Sequence, residues 1–98
     1  MTRVLVAARV RVPPASLPRW LGAAGALARR YSARGQHLWV FRHEHDPELH
    51  LEFREGPSRE RLAPADPDET ALAARLAALG SYQDADILWE SVSLPAGD

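Results

Sequence analysis

The 98-residue chain contains no Cys, no Lys and no Asn. Without Cys there is no disulfide, thiolate metal site, Cys nucleophile or iron–sulfur ligand. Without Lys, all 12 basic residues are Arg, set against 13 acids for a net charge of −1. That balance leaves no broad basic footprint, so no nucleic-acid partner is expected. No apolar run approaches the roughly 20 residues of a membrane span. The opening MTRVLVAARVRVPP is too short and too charged for a signal peptide, so a cytoplasmic protein with no membrane partner is expected. Gly-x-Ser-x-Gly and glycine-rich phosphate loops are also missing. What is present is a 46% hydrophobic chain. Its length fits one domain, residues 1–98, burying roughly two-thirds of the unfolded surface.

Six segments follow in order. Residues 3–12 alternate, with Val4, Val6, Ala8, Val10 and Val12 on one side, which predicts a strand ended by Pro13 and Pro14. In residues 16–33, Leu17, Trp20, Leu21, Ala24, Leu27, Ala28 and Tyr31 form one helical stripe. Ser16 is its expected N-cap, Pro18 sits in its first turn and Gly35 marks its end. Gly22 and Gly25 share a face of this helix, where a tolerated packing contact is expected. Residues 36–45 and 48–55 read as a hairpin around Asp46-Pro47, with Leu49, Leu51 and Phe53 opposite Glu48, His50, Glu52 and Arg54. A Pro-rich loop spans 56–66. Asp66-Pro67-Asp68-Glu69 then opens a helix carrying Leu72, Leu76 and Leu79, with Gly80 at its end. Residues 85–94 are expected to form the last strand.

The order β-α-β-β-α-β predicts an α+β, ferredoxin-like fold: a four-stranded antiparallel sheet with two helices on one face and the first strand central. The strands of 36–45 and 85–94 are apolar on both sides. The face without helices is therefore expected to be half apolar and half charged, and to bury itself in a homodimer packed sheet on sheet.

The stretch WVFRHEHDPELHLEFREGPSRERL is similar to the hairpin of the dimeric α+β barrel superfamily, which includes antibiotic-biosynthesis monooxygenase-like and stress-responsive barrel proteins. Asp46-Pro47 matches its turn, Glu52-Phe53-Arg54-Glu55 its strand end, and Ser58-Arg59-Glu60-Arg61-Leu62 the short helical segment that follows. The resemblance implies a dimeric α+β barrel. It further implies oxygenase chemistry without a prosthetic group on an aromatic small molecule, or haem binding. The chain departs from the pattern in having no Asn for the substrate pocket and no His on a predicted helix to ligate haem. No cofactor is required by the sequence.

Three constellations could carry chemistry. If the hairpin loop has two or four residues, His43, His45 and His50 gather with Glu48 or Glu52 as candidate metal ligands. A loop of three or five disperses them onto a solvated hairpin tip. Arg9 and Arg11 are expected beside Glu52, Arg54 and Glu90, forming either a polar pocket or cross-strand ion pairs at the dimer interface. In the pocket version, Glu52 or Glu90 would be a general base with a raised pKa. The aromatic residues Trp20, Tyr31, Trp39 and Phe41 are candidates to line a pocket between the first helix and the sheet, if they are not simply core or interface. The candidate catalytic residues are therefore His50, Glu52, Arg54 and Glu90. Two functions remain open: a monooxygenase-like enzyme acting on an apolar or aromatic small molecule, or a non-enzymatic module binding a ligand or partner. A His-cluster metal protein is the third reading.

Overall fold

The computed structural model describes residues 2–96. Strand β1 is Val4–Arg11 and helix α1 is Leu17–Ala33; strands β2, His37–Arg42, and β3, Leu49–Gly56, form the hairpin. A single turn, α2, follows at Arg59–Leu62, then helix α3 at Pro67–Leu79 and two short strands, β4 at Ser81–Gln83 and β5 at Trp89–Glu90. The sheet is antiparallel, ordered β2-β3-β1-β4, with β5 also on β1. The expected ferredoxin-like α+β arrangement with β1 central is thus present. No helix among the described residues is long and apolar enough to cross a membrane.

Alternation in β1 sends Val4, Ala8, Val10 and Val12 under the helices, all of them buried. The α1 stripe meets them with Trp20, Ala23, Ala24, Leu27 and Tyr31. Truncating a fully buried Trp such as Trp20 costs about 3–5 kcal/mol, because the cavity it leaves cannot collapse. Ser16 does not cap α1 through its side chain. Its backbone is already helical, with φ −94° and ψ −15°, so the hydroxyl is not aimed back at the first turn. Gly35 ends the helix at φ +74°, where L side chains are disfavoured. A Cβ added at Gly22 would meet nothing within 4 Å and one at Gly25 only an arginine tip, so neither position requires glycine for a close contact.

The Asp66 carboxylate accepts the Glu69 N–H at 2.9 Å, capping α3 as its sequence predicts. Buried Glu69 in turn takes both terminal nitrogens of Arg34, tying the end of α1 to the start of α3. This bond to Arg34 is the main reason the Glu69 carboxyl lies below the usual carboxylate range. The Pro-rich loop contains the turn α2, whose first N–H groups include one held by the Ser58 hydroxyl.

The last strand departs from expectation. Residues 85–94 do not form one strand. Pairing begins earlier, at Ser81, stops after Gln83, and resumes at Trp89. Asp84 adopts φ +64° and its carbonyl takes the Ile87 N–H at 3.2 Å, so the chain turns away from the sheet over 84–88. Asp enters this left-handed region more readily than most residues, which makes it a natural place for the break.

The hairpin register decides the faces. Arg42 pairs with His50 and the His43 N–H reaches the Leu49 carbonyl at 2.8 Å, leaving a five-residue loop, 44–48. Ala8 lies opposite Glu52 and Val6 opposite Arg54. His50, Glu52 and Arg54 therefore point toward the helices. Leu49, Leu51 and Phe53 join Leu5, Trp39 and Phe41 on the open face.

Candidate functional site

A cavity of about 520 Å³ lies between the sheet and α3. Its floor is Val6 and Ala8 of β1, Glu52 and Arg54 of β3 and Tyr82 of β4. Ala73 and Ala77 of α3 form the roof, with Leu62 and Arg59 of α2 at one end and Leu88 at the other. The space exists because α3 presents methyls to the sheet here: residues four apart share a helix face, and at 73 and 77 both are Ala.

The polar floor is a connected chain. Trp20 Nε1–H donates to the Tyr82 hydroxyl at 3.2 Å, and that hydroxyl donates to Glu52 Oε2 at 2.6 Å. Arg54 Nε–H donates to Glu52 Oε1, also at 2.6 Å. Glu52 is 2% exposed, and a carboxylate buried so deeply is costly without hydrogen-bond donors such as these. Burial, then the neighbouring Glu52 carboxylate, pushes the Tyr82 phenol up. For Arg54, burial pulls downward, but the charge and hydrogen bond of Glu52 outweigh it and the guanidinium is held more firmly protonated. Gly80 packs against this chain: a Cβ there would lie 2.7 Å from Val10 Cγ1 and 3.3 Å from Trp20 Nε1.

The candidate residues fall in different places. Glu52 and Arg54 both border the cavity. His50 is buried beneath α1, with its ring 5.3 Å from that of Trp20 and Nδ1 3.0 Å from the Glu48 carbonyl. Glu90 is exposed on β5, opposite Val4 and away from the cavity lining. His43 and His45 stay on the hairpin loop, since the five-residue connection disperses the histidines. Among the described residues no three His, Cys, Asp or Glu side chains are placed to hold a metal ion. Arg9 and Arg11 do not neighbour Glu52 and Arg54. One step of strand alternation puts them on the opposite face, where Arg11 pairs with Asp46 at 3.1 Å.

The aromatic candidates do not surround the cavity either. Trp20 and Tyr31 are packed into the core, and Tyr31 gives its hydroxyl to the Leu62 carbonyl at 2.6 Å. Trp39 and Phe41 lie on the open face, 45% and 59% exposed. Sequence reasoning did not place Tyr82, Arg59 or the alanine roof at the site. The spacing of Ala73 and Ala77 was the available signal for the roof, whereas Tyr82 lay just outside the strand expected at 85–94.

No protein-family model matches the chain, and no curated protein matches it in sequence. Solved structures do match. Rv0793 from Mycobacterium tuberculosis is 13% identical, with 100% of each chain covered and a TM-score of 0.68. A crystal structure of an antibiotic biosynthesis monooxygenase is 20% identical, covering 97% of this chain and 100% of that one at TM-score 0.67. SnoaB, a cofactor-independent oxygenase from Streptomyces nogalater, is 16% identical, covering 98% and 97% at TM-score 0.65. At these identities the likeness is one of architecture: the chain has the ferredoxin-like α+β fold of the antibiotic biosynthesis monooxygenase-like proteins.

Proposed function

We propose that this protein is a monooxygenase-like enzyme acting on an apolar or aromatic small molecule, and that it works as a homodimer. The observation that carries the reading is the cavity under α3: apolar walls around one buried carboxylate held by Tyr82 and Arg54. A largely apolar pocket with a few convergent polar groups is the usual form of a small-molecule site. Glu52 would take a proton from an acidic C–H or O–H of the substrate, and Arg54 would stabilise the anion that results. That electron-rich anion would itself reduce O2, one oxygen ending as a new carbonyl on the substrate and the other leaving as water. The shared fold with SnoaB supplies the reaction class to test, by analogy only.

The homodimer rests on the open face. Leu5, Trp39, Phe41, Leu51, Phe53 and Trp89 lie together there, and Phe41 and Trp89 are each 59% exposed. An apolar, aromatic patch of this kind suits burial against a second copy better than water.

Oxygen uptake with hydroxylated polycyclic aromatics, restricted to those that bind, tests the enzyme. Turnover is expected, falling about 100-fold in Glu52→Gln. No uptake with any bound ligand overturns the enzymatic reading. Light scattering at micromolar concentration tests the assembly. The expected mass is twice 10.8 kDa, and a clean monomer refutes the dimer.

A further inference from the structure

The charge around the cavity does not balance. Arg54, Arg59 and Glu52 border it, giving two positive charges against one negative. Glu52 is already satisfied by Arg54 Nε and the Tyr82 hydroxyl. Arg54 uses Nε alone for that bond. Apart from the neighbouring Tyr31 phenol, its terminal nitrogens meet no acceptor among the described residues. The Arg54 side chain lines the cavity and is 20% exposed, and no buried side-chain nitrogen or oxygen among those residues lacks a partner, so a terminal nitrogen not taken by Tyr31 is accessible. Arg59 is exposed at the cavity's end and pairs with no carboxylate among the described residues.

We infer that the cavity takes its aromatic ligand as a monoanion, with the ligand's carboxylate or phenolate oxygens on Arg54 and Arg59. The hydrocarbon would lie against Val6, Ala8 and Ala77. One bound negative charge neutralises the surplus, and a planar guanidinium fork matches a carboxylate in two hydrogen bonds. Partial exclusion of water by the alanine roof and Leu62 strengthens the attraction relative to bulk solvent. Glu52 keeps a second role, because its charge limits the site to a single anionic group. This inference names the ligand class of the cavity used in the proposed function, and rests on that reading only for which cavity is occupied.

Titration calorimetry of the full chain with 2-naphthoate and its neutral isostere 2-naphthamide tests it. A charge-assisted hydrogen bond corresponds to roughly a tenfold or larger preference, so naphthoate is expected to bind at least about tenfold tighter. Arg59→Ala, an exposed substitution, is expected to weaken naphthoate about fivefold or more and to leave naphthamide within about twofold. Equal affinity for the two probes overturns the inference. So does an Arg59→Ala change that moves both probes alike, or no naphthoate binding up to about 1 mM. The readout is independent of turnover. Naphthoate preference without oxygen uptake by any bound ligand refutes the oxygenase reading and leaves the anion site standing; oxygen uptake with neutral ligands alone does the reverse.

Discussion

Arg54→Met should unmask how strongly the cavity floor is coupled. Glu52 is 2% exposed and holds two donors at 2.6 Å, one of them charged. Removing the guanidinium leaves a buried carboxylate with Tyr82 alone, and breaking a buried ion pair on one side costs about 3–5 kcal/mol. The cavity beside it admits some water, which places this case near about 3 kcal/mol, or about 12–24 °C in Tm for a domain of this size. Glu52→Gln is milder, about 1–2 kcal/mol, because Arg54 can turn its charge toward the cavity and solvent. The double variant Glu52→Gln/Arg54→Met has no orphaned charge and should lose only about 2 kcal/mol, giving a coupling energy of about 2–3 kcal/mol. Urea and thermal unfolding of the four proteins, all at one protein concentration because self-association adds stability by mass action, measures the cycle. Losses that simply add, with coupling below about 0.5 kcal/mol, would falsify the claim that Glu52 and Arg54 stabilise each other.

Three further outcomes are expected. Gly80→Ala should destabilise by about 1–3 kcal/mol through overpacking against Val10 and Trp20, since its φ of −131° suits Ala and only the steric clash remains; unchanged thermal unfolding would contradict the close approach. Phe41→Glu should convert the species seen by light scattering to monomer with native circular dichroism, and a persistent dimer would place the interface elsewhere. The hydrogen bond from Arg3, aided by His37, holds Glu55 down at about 2 against an ordinary 4.5. A carboxyl depressed on folding stabilises above its unfolded pKa, and that contribution is lost as pH falls through its folded value. Between 4.5 and about 2, Arg3→Gln should therefore show a smaller acid-induced drop in urea midpoint than the parent. Equal drops would refute the linkage.

Much of the architecture was legible because local signals agreed with the fold. The valines of β1, the Trp20–Tyr31 stripe of α1 and the Asp66 cap of α3 each follow one period or one hydrogen bond. The faces of β3 were harder to read. Alternation separates Leu49, Leu51 and Phe53 from His50, Glu52 and Arg54, but it cannot say which set a helix will cover. Here the charged set is covered and the apolar set is open, the reverse of the ordinary soluble hairpin. Loop length fixed that register, and the sequence admitted several lengths around Asp46-Pro47. The fourth strand broke at Asp84 because one left-handed residue outweighs the β-propensity of the Ile87–Trp89 run that follows. Glu52 and Arg54 were legible as candidates from their chemistry, while Tyr82 and Arg59 depended on tertiary placement that no spacing encodes.

The detour at 84–88 divides one sheet edge into a fixed part and a free part. Ser81–Gln83 and Trp89–Glu90 clamp β1 at its two ends, leaving Val6–Ala8 without a neighbouring strand on that side among the described residues. Ala85 and Leu88, from the segment between the clamps, form a wall of the cavity. Lengthening such a connection costs little, about 0.6 kcal/mol per doubling, and nothing in the sheet need move to accommodate it. Rewriting those five residues would therefore reshape this wall while the hydrogen-bonded frame and the buried carboxylate of Glu52 stay unchanged.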